Sequence, residues 1–279
     1  MILGTGATGT VNLGENAKTK EKIAVKAISM KKIQSYGIEE EISREVENLT
    51  AALELNNPFF IKLIENFFTS NNYYILTEYC DGGTLAEDIQ KRNAVYTKTE
   101  VLEIAYQMIL GLSSLAIKEI VHRDLKPENI FLKGGLYKIG DFGSSKVVPQ
   151  KFTTASVGTE SNFAPEFYDM NKQKTCKVDV WALGCILHKL LYGTEFFKAK
   201  DIMTFQKNVR EMKYVPGDKT SGGEKVDDNT KKLLCGMFEK DPSARLSVDE
   251  MRKHPAFDKS LVAKFSKQLD SSLQKKWYG

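Results

Sequence analysis

The stretch Val121-His122-Arg123-Asp124-Leu125-Lys126-Pro127-Glu128-Asn129-Ile130-Phe131-Leu132 limits what this chain can fold into more than any other. Its two ends are apolar and read as strands, and its middle is crowded with charge. A short loop hung between two buried strands holds its side chains still, which is what chemistry on a loop requires. Asp124 and Asn129 are short, oxygen-bearing side chains five residues apart. One could take a proton from a hydroxyl while the other holds a metal, and Lys126 between them could face an anion. For any one of these residues alone, a solvated surface turn that happens to carry ions is the simpler reading. The loop becomes informative only through partners elsewhere in the chain.

Those partners occur in order. Gly4, Gly6 and Gly9 form a G-x-G-x-x-G. In dinucleotide-binding folds a helix follows such glycines, but here Thr10-Val11-Asn12-Leu13 alternates as a strand does. The expected element is strand, glycine turn, strand, with the first strand very short or trimmed. Backbone N–H groups in such a turn can approach phosphate oxygens closely, and a plain Gly-rich hairpin is the alternative. Ile23-Ala24-Val25-Lys26-Ala27-Ile28 reads as an apolar strand enclosing one lysine. A buried ammonium needs a partner, unless it snorkels outward from a strand edge. Ile38, Ile42, Leu49 and Leu53 fall at helical spacing, and Glu45 lies on their stripe, whereas Glu39, Glu40 and Glu47 fall mostly off it. Glu45 is therefore the expected partner of Lys26, with Glu41, one turn earlier, as the alternative.

Further along, Tyr73 to Gly83 is a strand running into a glycine break, and Val101 to Ile117 carries apolar residues at helical spacing. Tyr137-Lys138-Ile139-Gly140-Asp141-Phe142-Gly143 places Asp141 at a strand end, twelve residues after Asn129. Two such oxygen ligands suit Mg²⁺, which takes a few protein oxygens together with phosphates and water. Residues 144–163 are polar and rich in hydroxyls, and Ala164-Pro165-Glu166 closes them. Val178 to Leu187 reads as a mostly apolar helix carrying Asp179, for which a helix cap is one reading. Lone histidines such as His188 and His254 read as structural. Leu261, Phe265, Leu269 and Leu273 recur at steps of four, an amphipathic helix expected to pack on its own domain.

Together these motifs resemble the catalytic domain of eukaryotic protein kinases. His122 to Asn129 matches the catalytic loop H-R-D-L-x-x-x-N, and the Lys126-Pro127-Glu128 filling resembles the serine/threonine branch. Gly4 to Val11, the Lys26 strand, Asp141-Phe142-Gly143 and Ala164-Pro165-Glu166 resemble the family's other signatures. Details of the hinge and helices resemble the autophagy-initiating and calcium/calmodulin-dependent groups. The resemblance implies an α+β, two-lobed fold. Residues 1–80 would form a small ATP-binding lobe, mainly antiparallel sheet with one helix. Residues 81–260 would form a larger, mainly helical lobe, and residues 261–279 an amphipathic tail.

The resemblance also implies roles. Gly4, Gly6, Gly9, Val11, Ala24, Lys26, Thr77, Glu78, Cys80 and Leu132 would surround ATP, with Thr77 at the back of the adenine pocket. Lys26 held by Glu45 would orient the phosphates, and Asn129 and Asp141 would hold Mg²⁺. Asp124 would accept the proton of the substrate hydroxyl, and Lys126 would offset charge on the phosphoryl group in flight. Asp179 would anchor the catalytic-loop backbone, and Arg245 would pair with Glu166. Thr153, Thr154, Ser156 and Thr159 would lie on an activation segment whose phosphate Arg123 grips. Many relatives carry the receiving hydroxyl four residues before the threonine matched by Thr159, where this chain has Ala155, so Thr154 or Ser156 is the expected site, the alternative being a segment ordered without phosphate and Arg123 paired to another acid. The chain also departs from the family at Thr8, often aromatic, and at Glu160 and Asn162, usually proline and tyrosine. The implied activity is transfer of the γ-phosphoryl group of Mg-ATP to serine or threonine of protein substrates. A nucleotide-binding pseudokinase scaffold is the alternative, although such proteins normally lack Lys26, Asp124 or Asp141. A dinucleotide-dependent oxidoreductase is opposed by the strand that follows Gly9.

Composition agrees with these expectations. With 279 residues the chain can bury a sizeable core. A net charge of +4, without a long basic run, gives no electrostatic footprint for nucleic acid. The four cysteines form no C-x-x-C pair, and free thiols fit a reducing compartment, so cytoplasm or nucleus is expected. No apolar run is expected to span a membrane, the first residues lack the basic start of a signal peptide, and a monomer is expected.

Overall fold

The computed structural model describes residues 1–5, 9–55, 57–143, 146–147, 162–169, 174–197 and 199–267. Five antiparallel strands form the first lobe: β1 (Ile2–Thr5), β2 (Thr10–Glu15), β3 (Lys22–Ser29), β4 (Leu63–Phe68) and β5 (Asn72–Glu78), in the order β1-β2-β3-β5-β4. Register sets which side chains share a face. Val11 lies opposite Lys26, Leu13 opposite Ala24, Lys26 opposite Ile75 and Ala24 opposite Thr77. Cross-strand partners share a face, and so do residues two apart along a strand. Val11, Ala24, Lys26 and Thr77 therefore project from one side of the sheet.

Two helices accompany this sheet, one more than the sequence suggests. The short α1 (Met30–Tyr36) stops where Gly37 turns left-handed, at φ 61°, and its N–H bonds back to the Ile33 carbonyl. Glycine adopts this conformation without the Cβ clash that other residues meet. The second helix, α2 (Glu39–Glu54), buries Ile42, Glu45 and Leu49 along one stripe, as the periodicity indicates.

The second lobe is mainly helical. It contains α3 (Leu85–Lys91) and α4 (Lys98–Ile117), both opened by capping boxes, Thr84 with Glu87 and Thr97 with Glu100. These reciprocal bonds satisfy amide groups that a helix start leaves open. Contrary to expectation, α4 is long and apolar enough to cross a membrane by length and composition. It is instead the central helix of the lobe, with 78% of its most apolar window buried inside the protein. After it come β6 (Ile120–Val121), β7 (Ile130–Lys133), β8 (Leu136–Ile139) and β9 (Lys146–Val147), paired as β6–β9 and β7–β8. The remaining helices are α5 (Lys177–Tyr192), α6 (Ile202–Glu211), α7 (Asp228–Met237), α8 (Val248–Arg252) and α9 (Lys259–Ser266). α9 packs on α4 through buried Leu261 and Phe265; Leu269 and Leu273 lie outside the described residues.

Candidate active site

The loop from His122 to Asn129 joins β6 to β7 and is held from beneath by α5. Asp179, in the first turn of that helix, accepts hydrogen bonds from the His122 and Arg123 amides, at 2.8 Å each. Burial pushes the Asp179 carboxyl above its ordinary range, against the pull of His122, Arg123 and those two amides. A helix cap is thus the lesser part of what Asp179 does: the N-cap position belongs to Cys176. The ring of His122 reaches the other way. Its Nδ1 accepts from the Asp124 amide at 3.3 Å, so Nε2 carries the proton and donates to the Gly140 carbonyl at 3.0 Å. Two non-glycine residues of the site, Arg123 (φ 70°) and Asp141 (φ 58°), sit in the left-handed region. Such backbone persists only where the surroundings over-determine it, and here the Asp179 and His122 bonds do so.

Three side chains converge on the loop's centre. Asp124 Oδ2 accepts from Lys126 Nζ at 2.8 Å and from Asn129 Nδ2 at 3.1 Å. Asn129 Nδ2 also bonds the Asp124 carbonyl at 2.8 Å. With its amide nitrogen so fixed, Asn129 presents its oxygen to another partner. Gly140 N bonds the Asn129 carbonyl at 2.9 Å, which sets Asp141 close by. Phe142 then turns into the core, wholly buried, with its ring edge-on to Phe60 at 5.8 Å and to His122 at 5.2 Å. Asp141 itself remains exposed.

From the small lobe, Lys26 Nζ lies 2.7 Å from both carboxylate oxygens of Glu45, joining β3 to α2. Burial alone would pull the Lys26 pKa down, but the charges of Glu45 and Asp141 and the bonds to Glu45 outweigh it and hold the ammonium above its ordinary value. The side chain of Glu41, the other candidate partner, lies outside the described residues. Gly9 sits so close to β3 that a Cβ there would meet the Ala27 carbonyl oxygen at 2.5 Å, so only glycine allows this approach. Gly4 ends up in open space, and Gly6 lies outside the described residues.

The residues expected around the nucleotide base separate into two groups. Val11, Ala24, Thr77 and Leu132 are half-buried, an apolar set left accessible at the junction of the lobes. Leu132 is tied to the Gly82-Gly83 turn after β5 by its carbonyl, which accepts from Gly82 at 3.0 Å, and by its amide, which donates to the Gly83 carbonyl at 2.9 Å. Glu78 and Cys80 turn their side chains elsewhere. Glu78 pairs with Lys133 and Lys138, at 2.9 Å each, and accepts from the Lys62 amide. Burial would raise its carboxyl, but the two lysines and that amide hold it below the ordinary range. Cys80 is buried, and burial pushes its thiol up to about 12. Only the backbone of these two residues is left to meet a ligand.

Whether Mg²⁺ fits can be judged from the donors. Among the described residues no group of three or more His, Cys, Asp or Glu side chains gathers into a metal cage. Mg²⁺ on a phosphate substrate needs only one or two protein oxygens and retains water and phosphate ligands. The exposed Asp141 carboxylate and the Asn129 oxygen supply that set, so the residues fit.

Behind the site, the buried guanidinium of Arg245 grips Glu166 in a two-pronged ion pair, at 2.7 and 2.9 Å. Asn162, where an aromatic residue is usual, donates to the Leu125 carbonyl at 3.3 Å. Thr8, Thr153, Thr154, Ala155, Ser156, Thr159 and Glu160 lie outside the described residues. The Lys133–Glu78–Lys138 cluster was not legible beforehand; two lysines on successive strands after the loop were its only trace.

Known proteins share this pattern. A family model described as "Protein kinase domain" matches residues 1–257. The chain is 29% identical over 279 residues to human "Serine/threonine-protein kinase Nek11", covering 98% of this chain and 42% of that protein. It is also 29% identical over 262 residues to "Carbon catabolite-derepressing protein kinase" of Secale cereale, covering 93% of this chain and 51% of that one. The chain thus spans about half the length, or less, of these curated relatives. The domain match and the serine/threonine kinase relatives lead to one assignment: this chain belongs to the protein kinase family, in its eukaryotic serine/threonine class.

Proposed function

We propose that this chain is an active kinase that moves the γ-phosphoryl group of Mg-ATP to serine or threonine hydroxyls of protein substrates. The observation that carries this reading is the Lys26–Glu45 pair, closed at 2.7 Å beside an exposed Asp141 and a fixed Asp124. A nucleotide-binding scaffold has no need of all four. Mg-ATP, when bound, supplies the transferable group and metal charge that screens its phosphates. The chain's own part is positioning and electrostatics. Lys26, oriented by Glu45, would hold the phosphates, and Asp141 and the Asn129 oxygen would hold the metal. Asp124 orients the incoming hydroxyl and takes its proton, while Lys126 offsets the negative charge of the moving group. Backbone groups at Glu78 and Cys80 would meet the base, and Val11, Ala24, Thr77 and Leu132 would line its site. Phosphorylation at Thr154 or Ser156, read by Arg123, would order the activation segment. The four free thiols suit a reducing setting, cytoplasm or nucleus.

Lys26→Ala is expected to lower transfer by about 10²–10³-fold, the usual weight of one preorganised electrostatic group. Glu45→Ala should act in the same direction by releasing Lys26, and Glu41→Ala should have little effect. A loss confined to Glu41→Ala would reassign the pair. The reaction class is tested by peptide-array phosphorylation with Mg-ATP followed by phosphoamino-acid analysis. Phosphoserine and phosphothreonine are expected; label dominated by phosphotyrosine would refute the class.

A further inference from the structure

The helix α9 lies beyond residue 257, where the family match ends, yet it reaches the junction of the two lobes. Phe265, only 2% exposed, packs edge-on against Phe59 at 6.2 Å. Phe59 belongs to the loop that joins α2 to β4, and it is wholly buried. That loop is bolted on its other sides. Asn57 donates to the Leu110 carbonyl and to Ser114 Oγ on α4, and accepts from the Phe59 amide at 2.9 Å. The Phe59 carbonyl accepts from Ile139 N at 2.8 Å, and Ile61 N donates to the Ile139 carbonyl at 2.9 Å. Ile139 ends β8, two residues before Asp141. The neighbouring Phe60 touches Phe142. One aromatic side chain of α9 thus backs a loop that grips the strand carrying Asp141 at one end and continues into the helix carrying Glu45 at the other.

From this we infer that Phe265 is a positioning residue for phosphoryl transfer. By bearing on Phe59, it fixes the loop between α2 and β4 and, through that loop, the placement of both Asp141 and Glu45. The inference rests on the kinase reading for its catalytic consequence, though not for the mechanical coupling itself. An edge-to-face ring pair fixes orientation as well as burying area, and close-packed interiors transmit small displacements. A segment outside the matched domain would then set how well the site is assembled, making α9 a point of control over transfer.

The test uses the full chain with Phe265→Ala, the conservative Phe265→Leu, and Lys259→Ala as a control. Lys259 is an exposed residue of the same helix, whereas Lys264 is unsuitable because its ammonium lies 4.9 Å from the Phe265 ring centroid. Phe265→Ala is expected to lower kcat per folded molecule by about tenfold, with KM for ATP and peptide within about twofold, as a small misplacement of catalytic groups does. Phe265→Leu should fall between it and wild type, and Lys259→Ala should match wild type. Hydrogen exchange supplies a readout independent of activity: the Ile61 and Ile139 amides should exchange faster in both Phe265 variants, while α7 keeps its protection. If Phe265→Ala does not fold, the kcat and exchange of Phe265→Leu decide. Wild-type kcat per folded molecule, or exchange that rises uniformly across α4 and α7, overturns the inference. A wild-type chain that transfers no phosphoryl group refutes the kinase reading, and the exchange measurement then still decides whether Phe265 controls the loop.

Discussion

Asp124→Ala is expected to lower phosphoryl transfer by about 10²–10⁴-fold, the usual weight of a positioned general base, while Mg-ATP binding stays nearly intact. The separation follows from where Asp124 sits. Its carboxylate is 10% exposed and is held by Lys126 and Asn129 on the same loop, whereas Lys26, proposed to face the phosphates, and its partner Glu45 belong to the other lobe. The loop's frame does not depend on the Asp124 side chain. Asp179 holds the His122 and Arg123 amides, and His122 Nε2 holds Gly140. Removing the carboxylate therefore deletes the proposed proton acceptor without collapsing the loop, although Lys126 and Asn129 each lose one partner. Steady-state kinetics together with calorimetric titration of Mg-ATP check this. Wild-type-like turnover in the variant would remove Asp124 from its role.

Glu166→Ala is expected to destabilise the fold by about 3–5 kcal/mol, the range for removing one partner of a buried ion pair. Both side chains are essentially inaccessible, at 0% and 1% exposure, and the bond is two-pronged. The guanidinium also donates to the Glu239 and Lys177 carbonyls and lies 5.0 Å from the Trp181 ring centroid. Those contacts would keep Arg245 in place after the change, so a cation would be left in the interior without its counter-charge. Replacing both residues by apolar ones of similar volume should be milder than the sum of the single changes, because the stranded charge goes with them. Urea unfolding of the two single variants and the double variant measures this. A loss below about 1 kcal/mol for Glu166→Ala, the level of an exposed pair, would mean that the cation finds another partner or water.

Much of the site was legible in the sequence because local rules reach it. Glycine spacing and strand alternation place Gly9 and Val11, and the period of two along β3 puts Ala24 and Lys26 on one face. Helical period puts Glu45 on the buried stripe of α2 but leaves Glu41 as an alternative, and it is the contact with Lys26 that identifies Glu45 as the partner. The parts that escaped depend on distant or sign-ambiguous features. The break between α1 and α2 rests on one left-handed glycine, Gly37, which a hydrophobic pattern does not register. Glu78 is expected among the residues around ATP, yet its carboxylate is taken by lysines that the β7–β8 hairpin brings back from more than fifty residues away. Lys138 is 9% exposed within a strand that looks merely apolar with one charge. α4 is hydrophobic all round because it is buried all round, and composition cannot tell that from a membrane helix. The contact of Phe59 with Phe265 joins residues more than two hundred positions apart, and only folding brings such rings together.

The central claim is that Lys26, Glu45, Asp124, Asn129 and Asp141 form a working phosphoryl-transfer site rather than a nucleotide-binding scaffold. A single-turnover experiment on one preparation tests it most directly. Mg-ATP binding is first quantified by calorimetry, and the bound γ-phosphoryl group is then followed onto a serine/threonine peptide library, with Asp141→Asn run alongside. Binding followed by transfer to peptide in the wild type, with transfer abolished in Asp141→Asn, is the expected result. Tight Mg-ATP binding by the wild type, with no peptide label above the Asp141→Asn background, would contradict it.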